Sequence, residues 1–311
     1  MTVTVRPFRR SDARDVCDVR RRALPYAIAT PQSVAWEVAE APAARQLRVF
    51  VAETAGRVVG AAKTFVRHDS STPGQGVVAP LVDPDHLGRG IGSALLAAAE
   101  DHVAGLGATR LHAYAQDDSR SPAFAERRGY RRLRQGHYLR LDLARAALPP
   151  LPGTLPPGVE LRTAADFGAD PRPLFEADAE ATADEPDELT VDAMTYEDWI
   201  VQFWEHPDTD LDLTTVVTVD GEVAAFSVAR TDGQGRYGSQ GTGTRRAHRG
   251  RGLAKLAKAA SLRRARDAGC TEAFTANDAA NAPMLAINTA FGYRRFAGDW
   301  HCVRDVAGTD A

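Results

Sequence analysis

Short runs of alternating or β-branched apolar residues recur along this chain, separated by longer Ala/Leu-rich runs, and their order repeats. VTVRP and VELRT each predict a short strand ending on arginine, followed by a turn and an Asp-containing helix start. FVAETAGRVVGAAKTFV and TVVTVDGEVAAFSVAR each predict a hairpin, with AGR and DGE as the tight turns. Leu81–Gly105 and Thr242–Gly269 then each read as strand, Gly/Arg-rich loop and Ala/Leu-rich helix. Each half closes on a strand, a short helix and an aromatic Gly-Tyr step, RRGYRRL and AFGYRRF. Two copies of one α/β unit are expected.

The stretch ARAALPPLPGTLPPG, Ala144 to Gly158, carries five prolines between the copies. Proline fixes φ and removes a donor, so a stiff extended linker is expected there. The division is residues 1–146, a linker at 147–157, and residues 158–311. A chain of 311 residues suits two domains of ordinary size. No run approaches the ~20 apolar residues of a membrane span, and MTVTVRPFRRSDA places arginines where a signal peptide needs an apolar core. A cytoplasmic protein without a membrane partner is the expectation. Cys17, Cys270 and Cys302 are odd in number and far apart, which suits small core residues better than a disulfide framework or zinc site.

The strongest chemical signal is Arg249-Gly250-Arg251-Gly252-Leu253-Ala254, with a strand before it and a long helix after it. Glycines let backbone N–H groups turn toward one point, and the helix N-terminus adds partial positive charge. That geometry suits a pyrophosphate, with the flanking arginines, Lys255 and Lys258 expected to strengthen it. The first half carries Leu87-Gly88-Arg89-Gly90-Ile91-Gly92-Ser93 at the same place. A dinucleotide-binding motif would follow the first strand of a βαβ unit; here the loop follows the fourth strand of a meander, which excludes that class.

The loop resembles the (Gln/Arg)-x-x-Gly-x-(Gly/Ala) motif of the GCN5-related N-acetyltransferase (GNAT) family, through Arg249, Gly252 and Ala254. TANDAANAPMLAINTAFGY, from Thr275 to Tyr293, looks like the family's fifth strand, last helix and Gly-aromatic ending. The resemblance covers nearly the whole chain as a tandem, similar to mycothiol-synthase-like proteins. It implies an α/β (α+β) fold of two GNAT domains, each a mixed, mostly antiparallel sheet flanked by helices. It also implies acetyl-CoA as cofactor, its pantetheine lying where the fourth and fifth strands part. The residues it puts at the cofactor are Thr244, Arg249, Gly250, Arg251, Gly252, Leu253, Ala254, Asn277 and Asn281, and in the first half Gly88, Arg89, Gly90, Ile91, Gly92 and Ser93. Either asparagine has a second reading, as a cap of the last helix.

Family members often use a strand-four Glu as base and a Tyr before the final Gly-aromatic step as acid. Those positions hold Gln240 and Asn288 in the second half, Val78 and Ala125 in the first. Gln240 and Asn288 are thus the catalytic candidates, and the first half reads as degenerate. His86 and His248 read as loop residues. Net charge is −3, which gives no case for nucleic acid, but the distribution is uneven. Pro173 to Ala229 holds 16 acids and no Lys or Arg; Arg245 to Arg266 holds nine Lys or Arg and no acid. An acidic lobe, with Glu185, Asp187 and Glu188 at its centre, favours a cationic amine acceptor and offers a base. Tyr196, Trp199, Ile200, Phe203 and Trp204 fall at helical spacing, either a core-facing stripe or a wall of the acceptor pocket. The expected activity is acetyl transfer to a primary amine of a small acceptor, by a monomer or homodimer. The alternative is a non-catalytic acyl-CoA-binding sensor.

Overall fold

The computed structural model describes residues 3–183 and 194–306. The first half forms β1 (Thr4–Pro7), α1 (Ala13–Ala23), α2 (Pro31–Ala39), β2 (Arg48–Thr54), β3 (Arg57–Val66), β4 (Gln75–Val82), α3 (Ile91–Ala104), β5 (Arg110–Gln116), α4 (Ser121–Glu126) and β6 (Arg131–Asp142). The second forms β7 (Val159–Thr163), α5 (Arg172–Thr182), α6 (Tyr196–Trp199), β8 (Thr215–Val219), β9 (Glu222–Thr231), β10 (Arg236–Thr244), α7 (Leu253–Asp267), β11 (Glu272–Asp278), α8 (Ala282–Ala290) and β12 (Arg294–Asp305). Both hairpin turns take left-handed backbone: Ala55 and Gly56 at φ 48° and 74°, Asp220 and Gly221 at 51° and 87°. Positive φ at both central residues matches the twist of the flanking strands.

Two compact units result, and they do not coincide with the two halves of the chain. Unit 1 comprises residues 3–136 and 297–306 of the described chain; unit 2 comprises 137–183 and 194–296. In unit 1 the sheet runs β1-β2-β3-β4-β5 and ends on β12, which pairs antiparallel with β5 from Asp299↔Gln116 to Asp305↔Arg110. In unit 2 it runs β7-β8-β9-β10-β11 and ends on β6. Each unit takes its last strand from the other half of the chain, which a division at 147–157 does not describe. Burial explains the exchange. Leu139 and Leu141 of β6 join Leu262 and Phe291 in the core of unit 2, while Cys302 of β12 joins the core of unit 1. Each leucine fully removed from water contributes about 1.5–3 kcal/mol.

The proline-rich stretch is extended but anchored. Leu148 is buried in the unit 2 core, and Arg263 of α7 donates to the carbonyls of Leu148 and Pro149. Both sheets are mixed and mostly antiparallel, with helices on either face. In unit 1, Ile91, Leu95 and Ala99 of α3 cover one face, and Val16, Cys17 and Val34 of α1 and α2 cover the other. In unit 2, Ala259 and Leu262 of α7 lie over one face, with Leu174 and Ala177 of α5 and Trp199 of α6 over the other. A Cβ on Gly243 would stand 2.6 Å from Ala181, so glycine there lets α5 approach β10. No helix among the described residues is long and apolar enough to cross a membrane.

Candidate active site

In unit 1 the parallel strands β4 and β5 pair only from Gln75↔Arg110 to Val77↔His112. Beyond that point Pro80–Val82 and Ala113–Gln116 line a cavity of about 1010 Å³. Leu87 to Ser93, apart from Arg89, form part of its wall. Gly88 and Gly90 sit at φ 74° and 80°, and nothing stands within 4 Å of where a Cβ would be. Gly90 is the N-cap of α3, so the N–H groups of the first turn lack partners within the helix. Positive side chains come from a place the sequence did not advertise. Arg120, Arg127 and Arg128, at the two ends of α4, line the cavity, and Arg128 lies 3.7 Å over the Phe124 ring and donates to Ser93 Oγ.

Unit 2 repeats the frame with different side chains. β10 and β11 pair from Arg236↔Glu272 to Ser239↔Thr275, and no further. The β10–β9 register shifts between Ser239 and Gly241, a bulge that leaves Gln240 exposed. Under the bulge Thr242 Oγ1 lies 3.1 Å from Ser227 Oγ and 3.3 Å from Ser239 Oγ. Gly250 and Gly252 sit at φ 75° and 74°, and Gly252 caps α7 as Gly90 caps α3. Arg249 Nε donates to the Thr244 carbonyl at 3.2 Å, and Arg251 lies 3.2 Å from His248 Nδ1. Glu180 of α5 fixes the loop entry, accepting from Arg246 N at 2.6 Å and Arg245 Nε at 2.9 Å. Those two donors hold its carboxyl below the usual range.

The expectation of a basic helix aimed at phosphate is largely corrected. Lys258 is fully buried rather than facing the loop. Arg263 and Arg266 hold carbonyls at 146–149, and Arg264 donates to Thr215 Oγ1. Lys255 stays exposed one turn into the helix. Lys258 instead begins a polar chain: its Nζ donates to Asn288 Oδ1 at 2.5 Å, and Asn288 Nδ2 donates to Asn277 Oδ1 at 2.6 Å. An amine that donates at one end fixes the orientation of both amides. Asn277 lies two residues past Thr275, the last β11 residue paired with β10, so the chain runs from the interior to where the strands part. Burial pushes the Lys258 ammonium down to about 7. Its second neighbour is the Tyr293 ring, 5.1 Å from Nζ.

Of the expected site residues, the structure therefore brings Asn277 and Asn288 together and leaves Gln240 on the exposed side of the bulge. Asn281 caps α8, accepting from Met284 N at 3.2 Å. Val78 is fully buried, and Ala125 lines the unit 1 cavity. Thr244, Leu253 and Ala254 flank the second glycine loop, as Arg89, Ile91 and Gly92 flank or complete the first. Glu185, Asp187 and Glu188 lie outside the described residues. The aromatic stripe is a hub: Trp199 is 3% exposed, with Phe203 and Trp204 stacked at 6.4 and 6.0 Å. Lys258, expected at the phosphate, instead holds Asn288, and Asp178, which the sequence did not single out, accepts from Trp199 Nε1.

Two sheets whose central parallel strands part beside a glycine-capped helix define a tandem acyltransferase fold. The chain belongs to the Acetyltransferase (GNAT) family, which it matches over residues 15–130 and 175–293, and it is an N-acetyltransferase. It is 30% identical over 275 residues to a mycothiol acetyltransferase of Nocardiopsis dassonvillei, covering 81% of this chain and 80% of that one. A mycothiol acetyltransferase of a Nocardioides species is 28% identical over 235 residues, 71% and 77% of the two chains. Among solved structures, a tandem GNAT protein from the clavulanic acid biosynthesis pathway superposes with TM-score 0.74 at 22% identity, over 99% and 100% of the chains. A GCN5-related N-acetyltransferase from Sphaerobacter thermophilus gives 0.71 at 18% identity, over 99% and 98%.

Proposed function

We propose that the chain transfers an acetyl group from acetyl-CoA to a primary amine of a small cationic acceptor, with transfer in unit 2. The observation that carries this reading is the parting of β10 from β11 beside a bulge, with the Lys258–Asn288–Asn277 chain ending in the gap. The thioester arm fits such a gap, because strand backbone freed from pairing offers N–H and C=O groups to an extended ligand. Gly250, Gly252 and the first turn of α7 would take the pyrophosphate, and Arg249, Arg251 and Lys255 the remaining phosphate charge. Asn277 Nδ2 has no partner among the described residues and would donate to a carbonyl of the arm. Unit 1 offers a matching slot and would hold a second acetyl-CoA, its arginines at the ends of α4 rather than on α3.

The curated relatives are named for mycothiol acetylation, so an acceptor of mycothiol type heads the candidates. The amine must lose a proton before it attacks, which calls for a nearby acceptor of that proton. Thiol release from acetyl-CoA against a panel of small amines tests the proposal. Amine-dependent release is expected. The alternative, a non-catalytic acyl-CoA-binding sensor, is favoured by the lack of an acid or base at Val78, Ala125, Gln240 and Asn288. Tight acetyl-CoA binding with no release for any amine would decide for the sensor.

A further inference from the structure

Asp178 sits on the face of α5 turned to β10, 4.0 Å (Oδ1) from where a Cβ on Gly241 would lie. Gly241 is the residue that closes the bulge of β10. The other carboxylate oxygen accepts from Trp199 Nε1 at 2.9 Å. Around Trp199 stand Phe175 at 5.8 Å and Tyr196 at 6.4 Å, so the acid's one neutral donor is itself packed among aromatic rings. No cation contacts it among the described residues; Arg172, at the start of the same helix, lies 4.1 Å over the Tyr196 ring instead. The charged groups on the packed elements have other roles or face elsewhere. Glu180 holds the loop at Arg245 and Arg246, and Arg230 of β9 donates to the Gln202 carbonyl. Glu176 of α5 and Glu197 and Asp198 of α6 are themselves acids, and Arg236 of β10 lies 4.8 Å over the Phe274 ring. Asp178 is half-buried, and a partly desolvated carboxylate with no cation beside it is suited to an external cationic partner. Aromatic faces next to a carboxylate are the chemistry that receives an alkylammonium.

We propose that Asp178 is the acceptor-side carboxylate of unit 2, binding the ammonium of the primary-amine substrate between Trp199 and β10 and taking its proton. This rests on transfer occurring in unit 2. One proton passes from R–NH3+ to the Asp178 carboxylate, and the freed lone pair forms the C–N bond at the acyl-CoA thioester carbonyl. The C–S bond then breaks with its electron pair on sulfur, which acquires the second N–H proton as the CoA thiol. Asp178 returns its proton to water, leaving amide, CoA thiol and one released proton. Burial raises the Asp178 carboxyl above its usual range against the opposing Trp199 bond, which suits a group that must take up a proton.

Asp178→Asn keeps an oxygen for Trp199 and removes the charge. Calorimetry with propylamine, 1,4-diaminobutane and glucosamine, beside thiol release from acetyl-CoA, separates the possibilities. The variant is expected to melt no lower than wild type at pH 7, bind acetyl-CoA unchanged, lose at least 10-fold in amine affinity and at least 100-fold in kcat/KM, and shed the acid limb of the pH profile. A structural acid would show the reverse, a lower melting point with the pH profile kept, and that overturns the assignment. Equal amine affinity in both proteins also overturns it. Amine binding lost in the variant with no thiol release by wild type would leave the ammonium site standing and remove the transfer reading. On wild type alone, 1-propanol should not compete with propylamine; equal competition overturns an ammonium site even if the variant fails to fold.

Discussion

The same three places in the two units carry opposite chemistry. Leu96 lies six residues after Gly90, as Lys258 lies six after Gly252; Ala125 precedes Tyr130 by five, as Asn288 precedes Tyr293. Ala115 and Asn277 are each the sixth residue of their strands, β5 and β11. In unit 1 Leu96, Ala115 and Ala125 line the open cavity. In unit 2 their counterparts form one hydrogen-bonded chain. The glycine loops and parting strands are common to both, so the frame that shapes a ligand slot is separable from the groups that act inside it. Function lives in those side chains, not in the fold.

The largest effect expected on that comparison comes from the loops. Gly252→Glu places a carboxylate and a Cβ at φ 74°, where only glycine is unstrained. It should lower turnover at least 100-fold, whereas Gly90→Glu in unit 1 should leave thiol release within a few-fold; the opposite pattern would exchange the roles of the units. Next, Asn288→Ala leaves Lys258 Nζ without its acceptor. A loss of about 1–3 kcal/mol in denaturant stability and of 10- to 100-fold in kcat is expected. Ala125→Gly, at the matching position in unit 1, should leave kcat unchanged.

A third comparison uses pH. The folded pKa of Lys258 is pushed down to about 7 from 10.5. Between those values the unfolded chain binds more protons, so wild type gains stability as pH rises through that window, and the full penalty of the buried charge stands below pH 7. Lys258→Met lacks this dependence. Its stability relative to wild type should be highest at pH 6 and fall steadily toward pH 9, as read from urea midpoints; a flat difference would mean that burial does not depress the Lys258 pKa. Leu96→Met in unit 1 should show no such slope. The smallest effect lies in the hairpins. Ala55 holds left-handed backbone where the second copy has Asp220. Ala55→Asn should raise stability by about 0.5–1 kcal/mol, because Asn tolerates that conformation better than Ala.

Much of the frame was legible in the sequence. The doubled order of strands, the two tight turns and both glycine loops could be read from apolar spacing and glycine placement. The strand exchange could not, because LRLDL and HCVRD are both short runs and neither says which sheet receives it. Lys258 was misread for a related reason. Residues 257–262 of α7 are all buried, so no helical alternation of buried and exposed positions marks Lys258 as the one that points inward. The arginines of the unit 1 cavity hid at the ends of a short helix, away from the glycine motif. Asp178 was one acid among 16 from Pro173 to Ala229, and only its packing against Gly241 and Trp199 distinguishes it.

The central claim is that three side chains, on a shared frame, make unit 2 the transferring unit. Replacing them with their unit 1 counterparts, Lys258→Leu, Asn277→Ala and Asn288→Ala together, tests it most directly, through steady-state thiol release from acetyl-CoA with the best amine. The triple variant should still bind acetyl-CoA in unit 2 and release thiol at the background rate. Wild-type turnover in that variant would contradict the claim.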